Sequence, residues 1–172
     1  MVGAPENNND ERRRQTRMKI QVVKAHVNHL PALARNLRVS DRVELSAAMG
    51  ENLLSALEVS YERSVACWCI EVDKNPIVIW GVAPMNSLLG TIGMPWMVGT
   101  NAMEEWKGFI GKKSRCFIDL MHYLFPLLIN YVHGENALAL RFLRWCGFVI
   151  DSTPLRVGSE IFFEARRTLC VE

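Results

Sequence analysis

Long apolar runs are missing from the chain. Its two richest stretches, 77–92 and 124–132, are broken by Pro, Gly or Asn, and neither supplies the roughly 18 uninterrupted apolar residues a membrane-spanning helix needs. The polar opening MVGAPENNNDERRRQTR has no apolar segment of the secretory kind, so the cytoplasm is the expected compartment. An excess of one charge is also lacking: 20 Lys and Arg against 18 Asp and Glu leave +2, too little for a protein whose main work is coating nucleic acid. Cysteine is sparse and odd in number at five. Cys67, Cys69, Cys116 and Cys146 all sit in apolar runs and read as reduced, buried thiols. Cys67-x-Cys69 has no second closely spaced Cys or His pair to complete a zinc site, so no metal is expected. No repeat or low-complexity tract stands outside the first residues. What is present is 172 residues with 49% hydrophobic content, enough for one domain with its own core.

Residues 1–17 lack apolar periodicity and read as a flexible polar arm. Its Arg12, Arg13, Arg14 and Arg17 stand beside Glu6, Asp10 and Glu11, the mixture of a solubilising tail. A single domain spans 18–172. Lys19 to Ala25 is β-branched enough for a strand. Asn28 is the expected cap of a helix carrying Leu30, Leu33, Ala34 and Leu37, with Pro31 in its first turn. A second helix is expected from a Ser40-Asp41 cap, ending at Gly50, and Leu53, Leu54, Leu57 and Tyr61 mark a third. Ala66 to Val72 and Pro76 to Val82 form a hairpin, and Gly93 to Gly99 a third meander strand. A polar, basic stretch over 104–113 leads to a helix through Phe117, Ile118, Leu120, Met121 and Leu124, stopped by Pro126. Leu127 to Val132 is a strand, Ala137 to Cys146 a helix closed by Gly147, and Phe148 to Asp151 and Glu160 to Arg166 the last strands. This order is that of a mixed α/β sandwich.

The most specific segment is 130–148, NYVHGENALALRFLRWCGF. Asn136 follows a strand, Ala139 and Leu140 come next in the helix, and Gly147-Phe148 close it. This pattern resembles a motif of the GNAT acyl-CoA N-acyltransferase superfamily. The resemblance covers roughly residues 18 to 168. It implies a mostly antiparallel mixed sheet flanked by helices and splayed at the fourth and fifth strands. A narrower set of motifs is similar to a family of tailed-phage and prophage internal virion, or internal-core assembly, proteins with an acetyltransferase-like domain. These are Asp41-x-x-Glu44, Pro76-Ile77-x-Ile79-x-Gly81-Val82-x-Pro84, Gly93-x-Pro95-Trp96-x-x-Gly99-Thr100, Asn130-Tyr131-Val132 and Arg141-Phe142-Leu143-x-x-x-Gly147-Phe148. This likeness implies particle assembly with phage structural or assembly proteins as partners, in the host cytoplasm or the particle, in monomeric or oligomeric form.

Two departures bear on catalysis. Leu143 stands where active GNAT proteins commonly carry a Tyr that protonates the leaving thiolate, and an alkyl chain cannot do so. The pyrophosphate loop of the superfamily is replaced by EWKGFIGKKSR, where Gly108 and Gly111 are three apart. Lys112, Lys113 and Arg115 can hold phosphate there at an expected helix start. The resemblance implies acetyl-CoA or CoA as the ligand, held by Met97, Val98, Gly99, Thr100, Gly108, Gly111, Lys112, Lys113, Arg115 and Asn136. Asp41 and Glu44, one helical turn apart, are candidate bases for an amine of a protein or small molecule. They equally suit a cap and a solvated face. Trp96 and Asn130 are candidate walls of a substrate cleft, although Trp96 also suits a packing anchor and Asn136 a helix cap. Besides the assembly role, the sequence leaves open an active N-acetyltransferase and a binding module that uses the cleft to regulate a host protein.

Overall fold

The computed structural model describes residues 18–85 and 90–169. The expected arm over 1–17 lies outside the described residues, as does Asn86 of the loop before the third meander strand. The strands are β1 (Ile20–Lys24), β2 (Ala66–Val72), β3 (Asn75–Pro84), β4 (Ile92–Gly99), β5 (Leu127–His133), β6 (Val149–Ile150), β7 (Leu155–Val157) and β8 (Glu160–Thr168). The helices are α1 (Leu30–Asn36), α2 (Val39–Met49), α3 (Leu53–Arg63), α4 (Lys107–His122) and α5 (Ala137–Trp145). One sheet runs β1-β2-β3-β4-β5-β8-β6, with β7 paired to β8. Every pairing is antiparallel except β4 with β5.

Each face of the sheet buries its own core. Leu30 and Leu33 of α1 and Leu57 of α3 cover Cys69, Ile79 and Val98. On the other face Ile110, Ile118 and Met121 of α4 and Leu140 and Leu143 of α5 cover Ile70, Val78, Leu128 and Val132. Phe117 of α4 lies 4.9 Å from the rings of both Trp68 and Trp80, fixing the helix against the hairpin. That hairpin turns through Asp73 and Lys74, both at positive φ (48° and 67°), the two-residue turn whose twist suits a hairpin.

Five local expectations are corrected. Asn28 sits inside a 3-10 turn (Val27–His29), and the cap is His26, whose Nδ1 accepts the Asn28 N–H at 3.2 Å. Helix α2 begins at Val39 without a side-chain cap, so Asp41 is in its first turn rather than at its cap. Helix α4 begins at Lys107; its polar first turns face solvent and hide the apolar stripe from a pattern reading. The same stripe turns Cys116 outward, leaving that thiol exposed, while Cys67, Cys69 and Cys146 are buried. Burial pushes the Cys69 thiol up to about 12 and Cys146 to about 11, which keeps both protonated and inert. The short strand β7, paired with β8 across a turn containing Gly158, replaces part of an expected loop.

His122, in the last turn of α4, is buried. Its Nδ1 lies 3.1 Å from the Phe125 carbonyl and donates to it, while Nε2 has no partner among the described residues. Desolvation, reinforced by nearby Arg167 and opposed by Asp119, holds its pKa below the ordinary 6.5. The unfolded chain therefore takes up this proton first, so stability falls as pH drops through 6.5 and levels off below the folded value. Denaturant titrations over that window should show the slope in the wild type and its loss in His122→Asn.

Candidate active site

The site begins where two parallel strands fail to stay together. Strands β4 and β5 pair only at Ile92↔Leu127 and Gly93↔Leu128. The Thr91 carbonyl accepts from the Leu127 N–H at 3.4 Å, whereas the Thr100 N–H turns the opposite way, to Ile77 of β3 at 2.8 Å. By strand alternation the odd-numbered residues of β4 direct their backbone groups toward β5. Pro95 stands at the next such position after Gly93 and has no N–H. The rung that would continue the ladder lacks its donor, and the strands separate. Beyond Pro95 the same alternation aims the N–H and C=O of Met97 into the gap. On the other side Asn130 Oδ1 accepts the Tyr131 N–H at 2.8 Å, so the edge of β5 is closed by its own side chain. Pro95→Ala restores the donor. An added slowly exchanging amide at position 95 is the expected outcome, read by hydrogen exchange.

The gap widens into a cleft of ≈ 860 Å³. Trp80, Met97, Met103, Ile110, Ile118 and Leu143 supply its apolar walls, and α2, α4 and α5 its rim.

Helix α2 contributes Asp41 and Glu44, and they differ sharply. Asp41 is 3% exposed; Oδ2 accepts the Gly99 N–H at 2.7 Å and Oδ1 lies 2.7 Å from Arg38 Nε. Burial raises its pKa, against Arg38, the Gly99 amide and Ser40. With both oxygens engaged, Asp41 ties α2 to the tip of β4 and is not free to act as a base. Glu44 is only half-buried and reaches across the mouth to α5, where Asn136 Nδ2 donates to Oε1 at 2.7 Å. Asn136 also caps α5, its Oδ1 accepting the Ala139 N–H at 3.0 Å. The expected cap is present, while the second contact of Asn136 is to a carboxylate side chain.

Helix α4 opens on the cleft with no side-chain cap and no acidic residue in its first turn. Gly108, Gly111, Lys112 and Arg115 line the cleft from this helix. Gly108 and Gly111 are helical, so the loop reading is corrected; the basic side chains project from later turns instead of the helix start. Arg115 stacks over Trp145 of α5 at 4.7 Å. Among the described residues no group of three or more His, Cys, Asp and Glu could hold a metal ion.

Solved structures similar to this chain share its architecture at low identity. An aminoglycoside acetyltransferase in complex with coenzyme A matches with a TM-score of 0.65 and 15% identity, over 88% of this chain and 95% of that one. Ard1 from Thermoplasma volcanium matches at 0.67 and 11%, over 88% and 99%. An acetyltransferase of the GNAT family from Streptococcus pneumoniae matches at 0.58 and 14%, over 88% and 100%. The fold is that of the GNAT acetyltransferases. No family model and no curated protein sequence matches the chain.

Within this GNAT fold the structure sorts the residues foreseen from sequence. Met97, Val98, Trp96, Asn130 and Asn136 line the cleft with the α4 set. The Val98 side chain packs in the core under α1 and α3, and its backbone groups face β3. Trp96 packs partly against the core, and its Nε1–H donates to Ser64 Oγ at 2.8 Å, so anchor and wall are one residue. Gly99, Thr100 and Lys113 stand outside the cleft wall: Asp41 and Arg38 occupy the Gly99 amide and carbonyl, Thr100 turns to β3, and Lys113 lies over Phe109 at 5.6 Å. Pattern reading missed Arg38, His133, Arg141 and Trp145 of the cleft. Of these only Arg38 left a signal, its spacing of one helical turn from Asp41.

Proposed function

We propose that the chain is an acyl-CoA-dependent N-acyltransferase that moves an acetyl group from acetyl-CoA to an amine of a protein or small molecule. The observation that carries this is the backbone edge of Met97, turned into a cleft flanked by the uncapped N-terminus of α4. An uncapped helix start presents N–H groups and a positive dipole end to phosphate, and Lys112 and Arg115 add cationic side chains on the same helix. Trp145, 46% exposed beside Arg115, offers a flat ring at that end. These residues suit coenzyme A without the loop common in the superfamily. Acetyl-CoA, when bound, supplies an acyl carbon activated as a thioester.

The Met97 N–H is placed to donate to a carbonyl oxygen lying along β4, where a fixed donor stabilises developing negative charge. Glu44, with one carboxylate oxygen beyond its bond to Asn136, accepts the proton of the incoming amine. Leu143 is buried in the core and donates nothing, so protonation of the departing sulfur falls to water at the open rim. Calorimetry tests the reading: acetyl-CoA should bind saturably at micromolar levels, and Lys112→Ala/Arg115→Ala should weaken it about 10- to 100-fold. Absence of heat at high micromolar ligand overturns it. The assembly role, with phage structural or assembly proteins as partners, is carried only by the sequence motifs quoted above; a setting in phage or prophage is compatible with an acyltransferase acting there.

A further inference from the structure

The cleft does not end at the Met97 N–H. Its lining continues down α4 from Ile110 to Met121, about three helical turns or 16 Å of rise, toward the end of the sheet where β4 and β5 are still paired. Met121 is fixed at that closed end. Its carbonyl accepts the Phe125 N–H at 2.9 Å, and the Phe125 ring packs so closely on Gly93 that a Cβ there would stand 2.6 Å from it. Ile118, Met121, Leu143 and Phe148 form this lower wall. They are 2% to 8% exposed, whereas Ile70, Val78, Val82 and Leu128 of the same core are sealed at 0%, so the lower cleft is a narrow slot and not a filled interior.

We infer that this slot takes the hydrocarbon tail of the acyl group, so that the preferred donor is an acyl-CoA with a chain longer than acetyl, of butyryl length or more. The inference rests on the N-acyltransferase reading and extends the group transferred; acetyl remains a donor that leaves the slot empty. Phosphates at the N-terminus of α4 put coenzyme A at the open end, so the acyl chain lies beyond the carbonyl, toward the closed end. A two-carbon group stops short of the lower wall, and added methylenes run on toward Met121. The amides of coenzyme A are unsuited to the slot. The four side chains of the lower wall carry no nitrogen or oxygen, Pro95 has no N–H, and Asn130 Oδ1 is committed to Tyr131. Met97, Met103 and Met121 all line the cleft, and unbranched thioether side chains repack around ligands of different length. The reaction balances as it does for acetyl: the acyl carbon–nitrogen bond forms, the carbon–sulfur bond breaks, the amine proton passes to Glu44 and water protonates the thiolate.

The test titrates the full chain by calorimetry with CoA, acetyl-CoA, butyryl-CoA and hexanoyl-CoA. Affinity should rise along the acyl series by about fourfold per added methylene. Labelling with methyl-¹³C-methionine locates the tail: hexanoyl-CoA should move the Met121 methyl signal, assigned through Met121→Leu, and acetyl-CoA should leave it in place. Equal affinity for acetyl-CoA and hexanoyl-CoA, or a Met121 signal unmoved by hexanoyl-CoA, overturns the inference and leaves the N-acyltransferase reading standing. Failure of all four ligands to bind removes both. The affinity series is measured on the wild-type chain, so that comparison needs no variant to fold.

Discussion

Glu44→Gln lowers acetyl transfer to a responsive amine by about 10²- to 10⁴-fold, the range spanned by a positioned general base. The substitution is chosen to leave the scaffold intact. Glutamine has nearly the same shape, and its carbonyl oxygen can still accept from Asn136 Nδ2, so the bridge to α5 and the Asn136 cap both survive. What is lost is the ability to take up a proton. Acetyl-CoA affinity should be unchanged, because its expected contacts come from β4 and α4. Single-turnover rates with an amine panel, set beside calorimetry on both proteins, measure the effect. A variant that transfers acetyl at the wild-type rate would remove Glu44 from the chemistry.

Asp41→Ala has the largest expected effect on stability. The carboxylate is 3% exposed and serves two partners, the Gly99 N–H and Arg38. Its removal leaves a partly buried guanidinium without its counter-charge and a buried amide without an acceptor. Breaking such a pair from one side costs about 3–5 kcal/mol, which for a domain of this size lowers Tm by about 10 °C. Asp41→Asn, which keeps an acceptor for Gly99, should lose less. Thermal melts of the three proteins check the order. Equal melting temperatures would show that the tie between α2 and β4 contributes nothing.

These two residues also show what a sequence can and cannot disclose. Asp41 and Glu44 look alike in a pattern, one helical turn apart with matching chemistry. Their fates diverge because the partners are remote: Gly99 lies 58 residues from Asp41 and Asn136 lies 92 residues from Glu44. Local chemistry was legible by contrast. Asn136 before an apolar helix, Gly147 after it and the Asp73-Lys74 turn follow from caps and turns whose physics is contained within a few residues. The start of α4 was hidden because Lys107 to Lys113 are mostly polar or glycine; the helix is stabilised there by packing of Ile110, which no local propensity reveals. Pro95 was visible as a residue but not as a cause, since its missing donor matters only once β5 is known to lie alongside.

The means by which α2 is attached has a kinetic consequence. A helix held by a broad apolar face leaves its site only with global unfolding. Helix α2 has one buried residue, so two carboxylate ties and the half-buried Leu45 hold most of it. Breaking two charge-assisted bonds costs about 3–6 kcal/mol, which sets an open population of about 10⁻² to 10⁻⁴. Such an excursion is sub-global, exchanging the α2 amides well before those of β2 and β3. It would also carry Glu44 out of the cleft, so that the carboxylate proposed to accept the proton travels on an element that can open without global unfolding.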